Sequence, residues 1–332
     1  MNLAFASATR AASSPALGRF GHLFGGSPVM QEVYRRIDKV SGTSATVLVT
    51  GESGSGKELV ARTIHDRSKR AKAPLITVNC GAIPGNLIEA ELFGYEKGAF
   101  TGAIRTHRGC FERAEGGTLF LDEVTEMAPE MQVRLLRVLE TARYMRVGGE
   151  LELRADVRIV AATNREPLRA VRDGQLREDL MYRLAVFPLA LPALRDREGD
   201  AELLAEHFLR HLNESEGTQK AFSRRALGTI RDHAWPGNVR ELKNAVERAF
   251  ILSDDLVDLD FTGLTCVEAV GDCLRFPVGM PLDEVERQMI HATLERCEGN
   301  KRQCAEKLGI SLKTLYNRLS SYQSGTSAVV AL

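Results

Sequence analysis

The feature that most constrains this chain is the segment Gly51-Glu-Ser-Gly-Ser-Gly-Lys-Glu58, which fits the pattern G-x-x-x-x-G-K. It follows the apolar run Val47–Val49 and precedes a helical pattern that contains Val60 and Ile64. A strand, a glycine-rich loop and a helix in this order form a phosphate-binding loop, whose backbone N–H groups and helix dipole attract phosphate oxygens. We therefore predict a nucleotide site formed by Gly51, Glu52, Ser53, Gly54, Ser55, Gly56, Lys57 and Glu58.

A glycine-rich turn with an unrelated lysine is the alternative interpretation, and the flanking strand and helix argue against it. Lys57 can neutralise charge on the outer phosphates of a nucleotide. Glu58 occupies the position where most such loops carry a Ser or Thr that holds magnesium. A magnesium ion must therefore be held by carboxylates elsewhere in the chain.

Two acids follow a second apolar run. The run is Thr118–Leu121, and Asp122 and Glu123 follow it directly. A buried strand that ends there places both at the carboxyl edge of a parallel sheet, where ligands bind in open α/β folds. We predict that Asp122 holds the metal and that Glu123 orients and deprotonates the attacking water. A solvated acidic turn is the alternative, and the phosphate-binding loop makes hydrolysis of a nucleoside triphosphate the stronger interpretation.

The composition sets limits on the remaining functions. The chain has 332 residues, which is enough for two or three domains, and 44 basic side chains balance 44 acidic ones. A surface for nucleic acid must therefore be local. No apolar run reaches ~18 residues, so we expect no membrane span. The six cysteines form no C-x-x-C pair, which argues against a zinc or redox site and favours a reducing cytoplasm.

Short β-rich runs alternate with helical patterns over residues 21–190, which predicts an α/β fold with a parallel five-stranded sheet covered by helices. The predicted strands are Thr46–Thr50, Leu75–Asn79, Thr118–Leu121, Val157–Ala162 and Val186–Leu189. The predicted segments are a disordered tail (1–21), the α/β domain (22–194), an all-helical block (195–258), a linker (259–281), a second helical block (282–322) and a tail (323–332). Within the first helical block, Asn238 and Glu241 predict a capping box that opens a helix through Phe250.

The second helical block predicts three helices. Gly309 closes the short second helix and Ser311 caps the third, whose Leu312, Leu315 and Leu319 are expected to face inward. Two short helices joined by a glycine turn form a helix-turn-helix. Five basic residues lie between positions 299 and 320 against a single acid, so the segment is locally basic on a chain without net charge. A solvated helical hairpin is the alternative to a DNA-binding surface formed by Lys301, Arg302, Lys313, Thr314, Tyr316, Asn317 and Arg318.

The segment Gly98-Ala-Phe-Thr-Gly-Ala103 places an aromatic residue and a threonine between two glycines. Gly98 and Gly102 are unsuited to a helix interior. Phe100 could be buried in a turn, or it could be a contact residue on a mobile loop. The pattern alone leaves both interpretations open.

These residues together resemble the bacterial enhancer-binding activators of sigma-54 RNA polymerase, which are AAA+ ATPases of the NtrC and PspF type. The resemblance covers about residues 22–320. Further family signatures are the phosphate-binding loop, in which Glu58 is the usual residue, and Trp235-Pro-Gly-Asn-Val-Arg-Glu-Leu242. The most specific element is the hexapeptide by which this family contacts sigma-54, and the resemblance assigns that contact to Gly98, Ala99, Phe100, Thr101, Gly102 and Ala103.

The resemblance also implies roles for single residues in the nucleotide site. Asp122 and Glu123 resemble the metal-binding and catalytic acids of the family. Asn79, at the end of the second strand, matches the asparagine that restrains the catalytic glutamate until the site is engaged.

Further roles fall on the sensors and on two arginines. Thr163 and Asn164 match the first sensor, and Arg240 matches the second sensor on the helical lid, which corresponds to residues 195–258. Arg177 and Arg183 match the arginine fingers that the family offers to a neighbouring subunit. A surface ion pair is the usual alternative for an arginine.

The N-terminus departs from the family pattern. Most relatives carry a receiver, GAF or other sensing domain before the ATPase, whereas only about 20 residues precede it here, too few for a phosphoacceptor domain. We therefore expect control by a regulatory protein partner, by heteromeric assembly or by expression level.

The resemblance implies an ATP-driven transcription activator of the bacterial cytoplasm, with ATP and Mg²⁺ as cofactors. Its expected partners are upstream DNA, sigma-54 RNA polymerase and further copies of the chain, from a dimer on DNA to a hexameric ring. A AAA+ regulator that binds DNA without touching sigma-54 is one alternative, and the intact hexapeptide argues against it. A protein unfoldase or helicase is another, and it leaves the helix-turn-helix unexplained.

Overall fold

The computed structural model describes residues 18–259, 280–297 and 299–324. The chain divides into two compact units, the first of which ends at Leu259. In chain order, the strands of the first unit are β1 Arg19–Phe20, β2 Leu23–Phe24, β3 Val47–Thr50, β4 Leu75–Asn79, β5 Thr118–Asp122, β6 Arg143–Met145, β7 Glu152–Arg154, β8 Arg158–Thr163, β9 Phe187–Ala190, β10 Ala221–Phe222 and β11 Leu256–Val257.

Five of these strands form the expected parallel sheet, in the order β4-β5-β8-β3-β9. Observed strand ends agree with the predicted ones within one residue. In register, Thr50 lies beside Thr163 and Asn79 beside Asp122. The carboxyl ends of these strands therefore meet at one edge of the sheet, which is where ligands bind in such folds.

Both faces of the sheet are buried, which explains why its strands read as continuous apolar runs. Leu48 and Leu121 belong to the core on one face, and Val49 and Val160 to the core on the other. Helices α3, α5 and α7 contribute to the first core, and α1 and α2 to the second. The helices of the first unit are α1 Pro28–Ser41, α2 Lys57–Asp66, α3 Gly85–Phe93, α4 Cys110–Arg113, α5 Pro129–Thr141, α6 Pro167–Arg172, α7 Glu178–Leu184, α8 Asp200–Glu216, α9 Arg224–Asp232 and α10 Asn238–Leu252.

The block after the sheet contains α8, α9 and α10, and α10 packs on α8. Trp235 anchors it, because this side chain is 1% exposed and its Nε1 donates to Ile230 O at 2.8 Å. The prediction that residues 195–258 are all helical is wrong in one detail. The two-residue strands β10 and β11 pair in parallel, and runs this short carry no readable periodicity.

The predicted capping box at Asn238 is also wrong. Asn238 has φ +56° and its side chain does not cap α10. Glu241 Oε2 accepts instead from Gly237 N at 2.7 Å, so the helix begins at a cap one residue earlier. The helix then runs to Leu252, two residues beyond the predicted end.

The second unit contains the three expected helices, α11 Leu282–Arg296, α12 Lys301–Lys307 and α13 Leu312–Ser324. Ser311 caps α13, since its Oγ accepts from Thr314 N at 3.0 Å. Ile290, Cys304 and Leu315 form the centre of its core. Leu312 was expected to face inward and is 41% exposed, because an apolar period identifies a helix face and not how far the core extends along it.

Regular structure extends into both of the predicted terminal tails. Within the predicted N-terminal tail, Arg19–Phe20 pairs antiparallel with Leu23–Phe24, and the Phe20 ring stacks on Tyr34 at 4.9 Å. At the other end, α13 extends two residues into the predicted C-terminal tail. Residues 1–17, 260–279 and 325–332 lie outside the described part, so the predicted linker is untested over almost all of its length.

Among helices of the described ranges, none has the length and apolar character needed to cross a bilayer.

Candidate active site

The phosphate-binding loop joins β3 to α2 in a conformation that depends on glycine. Gly54 has φ +76° and Gly56 has φ +107°, both in the region that side chains disfavour. A Cβ on Gly54 would lie 2.3 Å from Gly237 O, so the loop meets the turn before α10 backbone to backbone. Gly56 directly precedes α2, whose N-terminus thus faces the loop and can attract phosphate.

Lys57 is the first residue of α2 and is 8% exposed. Its Nζ donates to Gly51 O at 2.8 Å and to Glu52 O at 3.1 Å. Burial lowers the pKa of this amine, and the nearby carboxylates of Asp122 and Glu123 oppose that shift. The lysine therefore lies where it can neutralise phosphate charge between the loop and the two acids.

Asp122 is the last residue of β5 and Glu123 follows it, at the carboxyl edge of the sheet. Asp122 Oδ1 accepts from Glu123 N at 3.1 Å. Glu123 adopts the left-handed conformation, with φ +54° and ψ +46°, which is uncommon for a residue with a side chain and is often found at functional sites. A Cβ on Gly81 would lie 2.7 Å from Glu123 Oε2, so glycine at position 81 leaves the room that this carboxylate occupies.

Asn79 ends β4 beside Asp122, close to the Glu123 carboxylate. Its Oδ1 accepts from Gly81 N at 2.9 Å and from Ala82 N at 3.0 Å, so the side chain closes the turn after the strand. In the described residues no hydrogen bond joins Asn79 directly to Glu123. The expected restraint on the glutamate is therefore not present as a direct contact in this structure.

The carboxylates fit the requirements of magnesium. No cluster of three or more His, Cys, Asp or Glu side chains that could hold a metal occurs within the described ranges. Mg²⁺ is usually bound by one or two carboxylates together with substrate phosphates and water. Asp122 is such a carboxylate at the sheet edge, with Glu123 directly after it, whereas Glu58 lies exposed in the first turn of α2.

The predicted first sensor lies at the end of β8. Thr163 Oγ1 is 3.1 Å from Thr125 Oγ1 and accepts from Arg165 N at 3.0 Å. Thr163 O accepts from Gly51 N at 3.3 Å, which ties the strand end to the phosphate-binding loop. Asn164 follows directly and is exposed.

Arg240 and Arg197 of the helical block both hydrogen-bond the same loop. Arg240 N donates to Gly54 O at 3.3 Å, and its Nη1 donates to Ser53 Oγ at 3.2 Å. Arg197 is 4% exposed and its Nη2 donates to Ser55 O at 3.0 Å. The predicted second sensor is therefore held against the loop that would carry the phosphates.

The two predicted arginine fingers lie on one exposed segment. Arg177 directly precedes α7 and pairs with Asp179 at 2.7 Å. Arg183, within α7, donates from Nη2 to Leu139 O at 2.8 Å. Neither hydrogen-bonds the phosphate-binding loop in the residues that the structure describes, so both guanidinium groups belong to the surface of the unit.

The hexapeptide forms a closed turn with an exposed tip. Gly98 N donates to Ala103 O at 2.8 Å, and Ala103 itself is buried. Phe100 is 42% exposed, with its ring 4.9 Å from that of Tyr95 in an edge-on arrangement. Thr101 is exposed, so the turn is closed at its base and presents side chains at its tip.

The basic residues of the second unit are exposed, and some already have partners. Lys301 Nζ lies 4.8 Å from the centre of the Tyr316 ring, which is a cation–π contact. Arg318 Nε is 3.1 Å from Glu286 Oε1 of α11. Thr314 Oγ1 lies 2.7 Å from Ser311 Oγ in the cap of α13. The remaining predicted contact residues, which are also exposed, are Arg302, Lys313 and Asn317.

Comparison with known families decides the identity. Residues 23–190 match the Sigma-54 interaction domain. Residues 195–261 match the AAA+ ATPase lid domain, and residues 281–322 match the Fis family of bacterial regulatory proteins. The chain belongs to the sigma-54 activator family. Its first unit is the AAA+ ATPase of these activators with its lid, and its second unit is a Fis-type helix-turn-helix.

Individual bacterial proteins are similar to this one over most of its length. Nitrogen fixation protein AnfA of Azotobacter vinelandii is 46% identical over 305 residues, which are 91% of this chain and 57% of AnfA. Transcriptional regulatory protein FlbD of Caulobacter vibrioides is 45% identical, over 89% of this chain and 69% of FlbD. The crystal structure of NtrX from Brucella abortus in complex with ATP superposes with a TM-score of 0.69 at 36% identity, over 91% of this chain and 69% of NtrX. The chain thus spans between about half and two thirds of the length of these relatives.

Apart from Arg240, sequence reasoning missed the residues that join the lid to the phosphate-binding loop. Glu52 was predicted as part of the nucleotide site, but its carboxylate pairs with Arg195 and accepts from Asn238. Arg195, Arg197 and Asn238 lie more than 140 positions from the loop in sequence. Two local signals could have found them: the family signature that contains Asn238, and the pair of arginines at positions 195 and 197.

Proposed function

We propose that this chain hydrolyses ATP to remodel closed complexes of sigma-54 RNA polymerase, from a binding site on upstream DNA. The observation that carries this proposal is the hexapeptide turn, whose Phe100 and Thr101 are exposed in the same compact unit as the nucleotide site. In this proposal, movement at the sheet edge during hydrolysis would displace the turn, and with it the side chains that would contact sigma-54.

The chemistry follows from the residues at the sheet edge. Lys57 neutralises charge on the outer phosphates, and Asp122 would hold Mg²⁺. When bound there, the ion would help to neutralise the negative charge of the phosphates. Glu123 orients the attacking water and takes its proton. Thr163 and Asn164 would report the state of the nucleotide to the rest of the unit. Asn79 would restrain Glu123 until the site is engaged, acting through the turn that it closes.

Assembly would complete the site. Arg177 and Arg183 lie on an exposed segment and would be offered to the nucleotide of a neighbouring copy, where they stabilise charge on the γ-phosphate. Arg240 would serve the nucleotide of its own subunit. Hydrolysis then depends on ring formation, and we propose a hexamer that assembles from dimers.

The second unit would concentrate the ATPase near its promoter. An α13 helix in the major groove would present Lys313 and Asn317, while Lys301 and Arg302 at the start of α12 would meet phosphates. Promoter DNA and polymerase as partners would place the protein in the bacterial cytoplasm. A regulatory protein partner is a further part of this proposal.

Transcription with purified sigma-54 polymerase tests the proposal. We expect ATP-dependent open complexes on a sigma-54 promoter that carries the upstream site, and none with the Glu123→Gln variant. A promoter read by another sigma factor is the control. DNA binding and ATP hydrolysis without open complexes would instead favour a AAA+ regulator that does not act through sigma-54.

A further inference from the structure

Glu52 lies within the phosphate-binding loop, but its side chain faces the lid. Arg195 donates to both of its carboxylate oxygens, from Nη2 at 2.5 Å and from Nη1 at 2.9 Å. Asn238 Nδ2 donates to the same carboxylate at 3.0 Å. These hydrogen bonds, led by that from Arg195, lower the pKa of Glu52 to about 2. Two-point binding of a carboxylate by an arginine fixes orientation as well as charge.

Asn238 connects this carboxylate to the lid and to the loop. The residue is fully buried, and its Nδ2 also donates to Ser53 O at 3.1 Å. Its Oδ1 accepts from Leu194 N at 2.8 Å. A left-handed backbone at a residue with a side chain persists only where its surroundings hold it, and here three segments do so. One buried amide therefore links the loop, the start of the lid and the first turn of α10.

The same turn of α10 carries Arg240, two residues further on. Arg240 N donates to Gly54 O at 3.3 Å and its Nη1 to Ser53 Oγ at 3.2 Å. Because the first turn of a helix is rigid once its start is fixed, the place of Asn238 sets the place of Arg240. Any group that holds Asn238 on the loop consequently governs how Arg240 meets a nucleotide.

We propose that Glu52 is a positioning residue that holds the lid on the phosphate-binding loop through Arg195 and Asn238, and so keeps Arg240 in reach of the nucleotide phosphates. The inference rests on the proposed ATP site and adds a residue that acts through the lid. An exposed ion pair alone contributes little to the free energy of folding, and both side chains of the Glu52–Arg195 pair are nearly half exposed. Its effect comes from the buried amide that shares the carboxylate, since members of such a network support one another.

The test is binding of a non-hydrolysable ATP analogue to the full chain, measured by calorimetry. Glu52→Gln keeps the shape of the side chain and removes its charge, and Arg195→Gln removes the other half of the pair. We expect each to weaken binding about fivefold or more, within the range of coupling between linked sites. Glu202→Gln is the matched control, because it breaks an ion pair of the same kind with Arg231 within the lid, away from the loop. Its affinity should equal that of the wild type.

Combination with Arg240→Ala separates action through the lid from an effect on the loop itself. If Glu52 acts through Arg240, the double variant should bind as weakly as Arg240→Ala alone. Additive losses, or wild-type affinity of Glu52→Gln, would overturn the inference. Thermal unfolding identifies any variant that fails to fold. In that case analogue binding is measured on Asn238→Gly, which removes the shared amide and relieves the left-handed backbone. This variant should also bind the analogue more weakly than the wild type. A wild-type protein that does not bind the analogue would instead overturn the proposed ATP site.

Discussion

Arg177 and Asp179 form a two-point ion pair, with Nη2 and Nε of the arginine 2.7 Å and 3.1 Å from the two carboxylate oxygens. Both side chains are close to half exposed. The pairing raises the pKa of Arg177 and lowers that of Asp179, as expected for opposite charges in contact. The arginine proposed to act on a neighbouring subunit is thus occupied within its own chain.

The first prediction concerns the strength of this pair. Exposed ion pairs contribute about 0–1 kcal/mol, whereas an arginine finger can change the rate by about 10³–10⁵-fold. We therefore expect Asp179→Ala to alter the ATPase rate less than about tenfold and Arg177→Ala to reduce it at least a hundredfold. Specific ATPase activity, measured against protein concentration, should rise for the wild type as subunits associate. A rate independent of concentration in a monomer would exclude a shared site.

The second prediction concerns the acids Asp122 and Glu123 at the end of β5. Glu123→Gln should bind ATP and hydrolyse almost none, because an amide cannot take the proton of the attacking water. Asp122→Ala should weaken magnesium-dependent nucleotide binding as well. Equilibrium binding and phosphate release, measured on the same preparations, distinguish the two roles. Wild-type hydrolysis by Glu123→Gln would show that another group is the base.

The third prediction concerns the tip of the hexapeptide turn. Thr101→Ala should leave ATPase activity within about twofold of the wild type and abolish open-complex formation, since we propose that the exposed side chain contacts the target and not the nucleotide. Ile104→Ala is the matched control, because Ile104 is exposed on the same loop but lies outside the hexapeptide. Loss of both activities in Thr101→Ala would point to a structural role for the turn.

The fourth prediction is a pH dependence. The usual pKa of a glutamate is 4.5, and the hydrogen bond from Arg195 lowers the pKa of Glu52 to about 2, so this pairing stabilises the fold above about pH 4.5 and is lost only as the pH falls towards 2. The ratio of analogue affinities between wild type and Glu52→Gln should consequently be constant from about pH 5.5 to pH 8. Calorimetry at both ends of this range measures it. A ratio that changes across the range would mean that Glu52 is not the group responsible.

The fifth prediction concerns DNA. Lys313 is exposed at the start of α13, and Lys313→Ala should weaken binding and reduce its salt dependence by about one ion if the amine meets a phosphate. Lys243→Ala, an exposed lysine of the lid that pairs with Glu247, should change neither. Footprinting over a series of salt concentrations gives both quantities. Deletion of residues after about position 280 should abolish site-specific binding and leave ATPase activity.

The sequence predicted the sheet and the phosphate-binding loop well because both depend on local patterns. Strand ends were placed within one residue, and the acids Asp122 and Glu123 lie at the expected edge. The contacts of Glu52 were out of reach, since its partners lie 143 and 186 positions away and no local pattern encodes such a pair. Asn238 was misassigned for the same reason. Asn is a common helix cap, and only the tertiary contacts show that its side chain serves another segment.

The burial of Trp235 gives the lid an internal reporter. It is the only tryptophan of the chain, it lies three residues before Asn238, and its indole N–H is bonded inside the lid. Excitation at the long-wavelength edge of the protein absorption band therefore selects Trp235 alone. This residue lies next to the turn that contacts the phosphate-binding loop. Movement of that turn on addition of nucleotide can be followed by emission from the unlabelled protein, on the timescale of a stopped-flow mixing experiment.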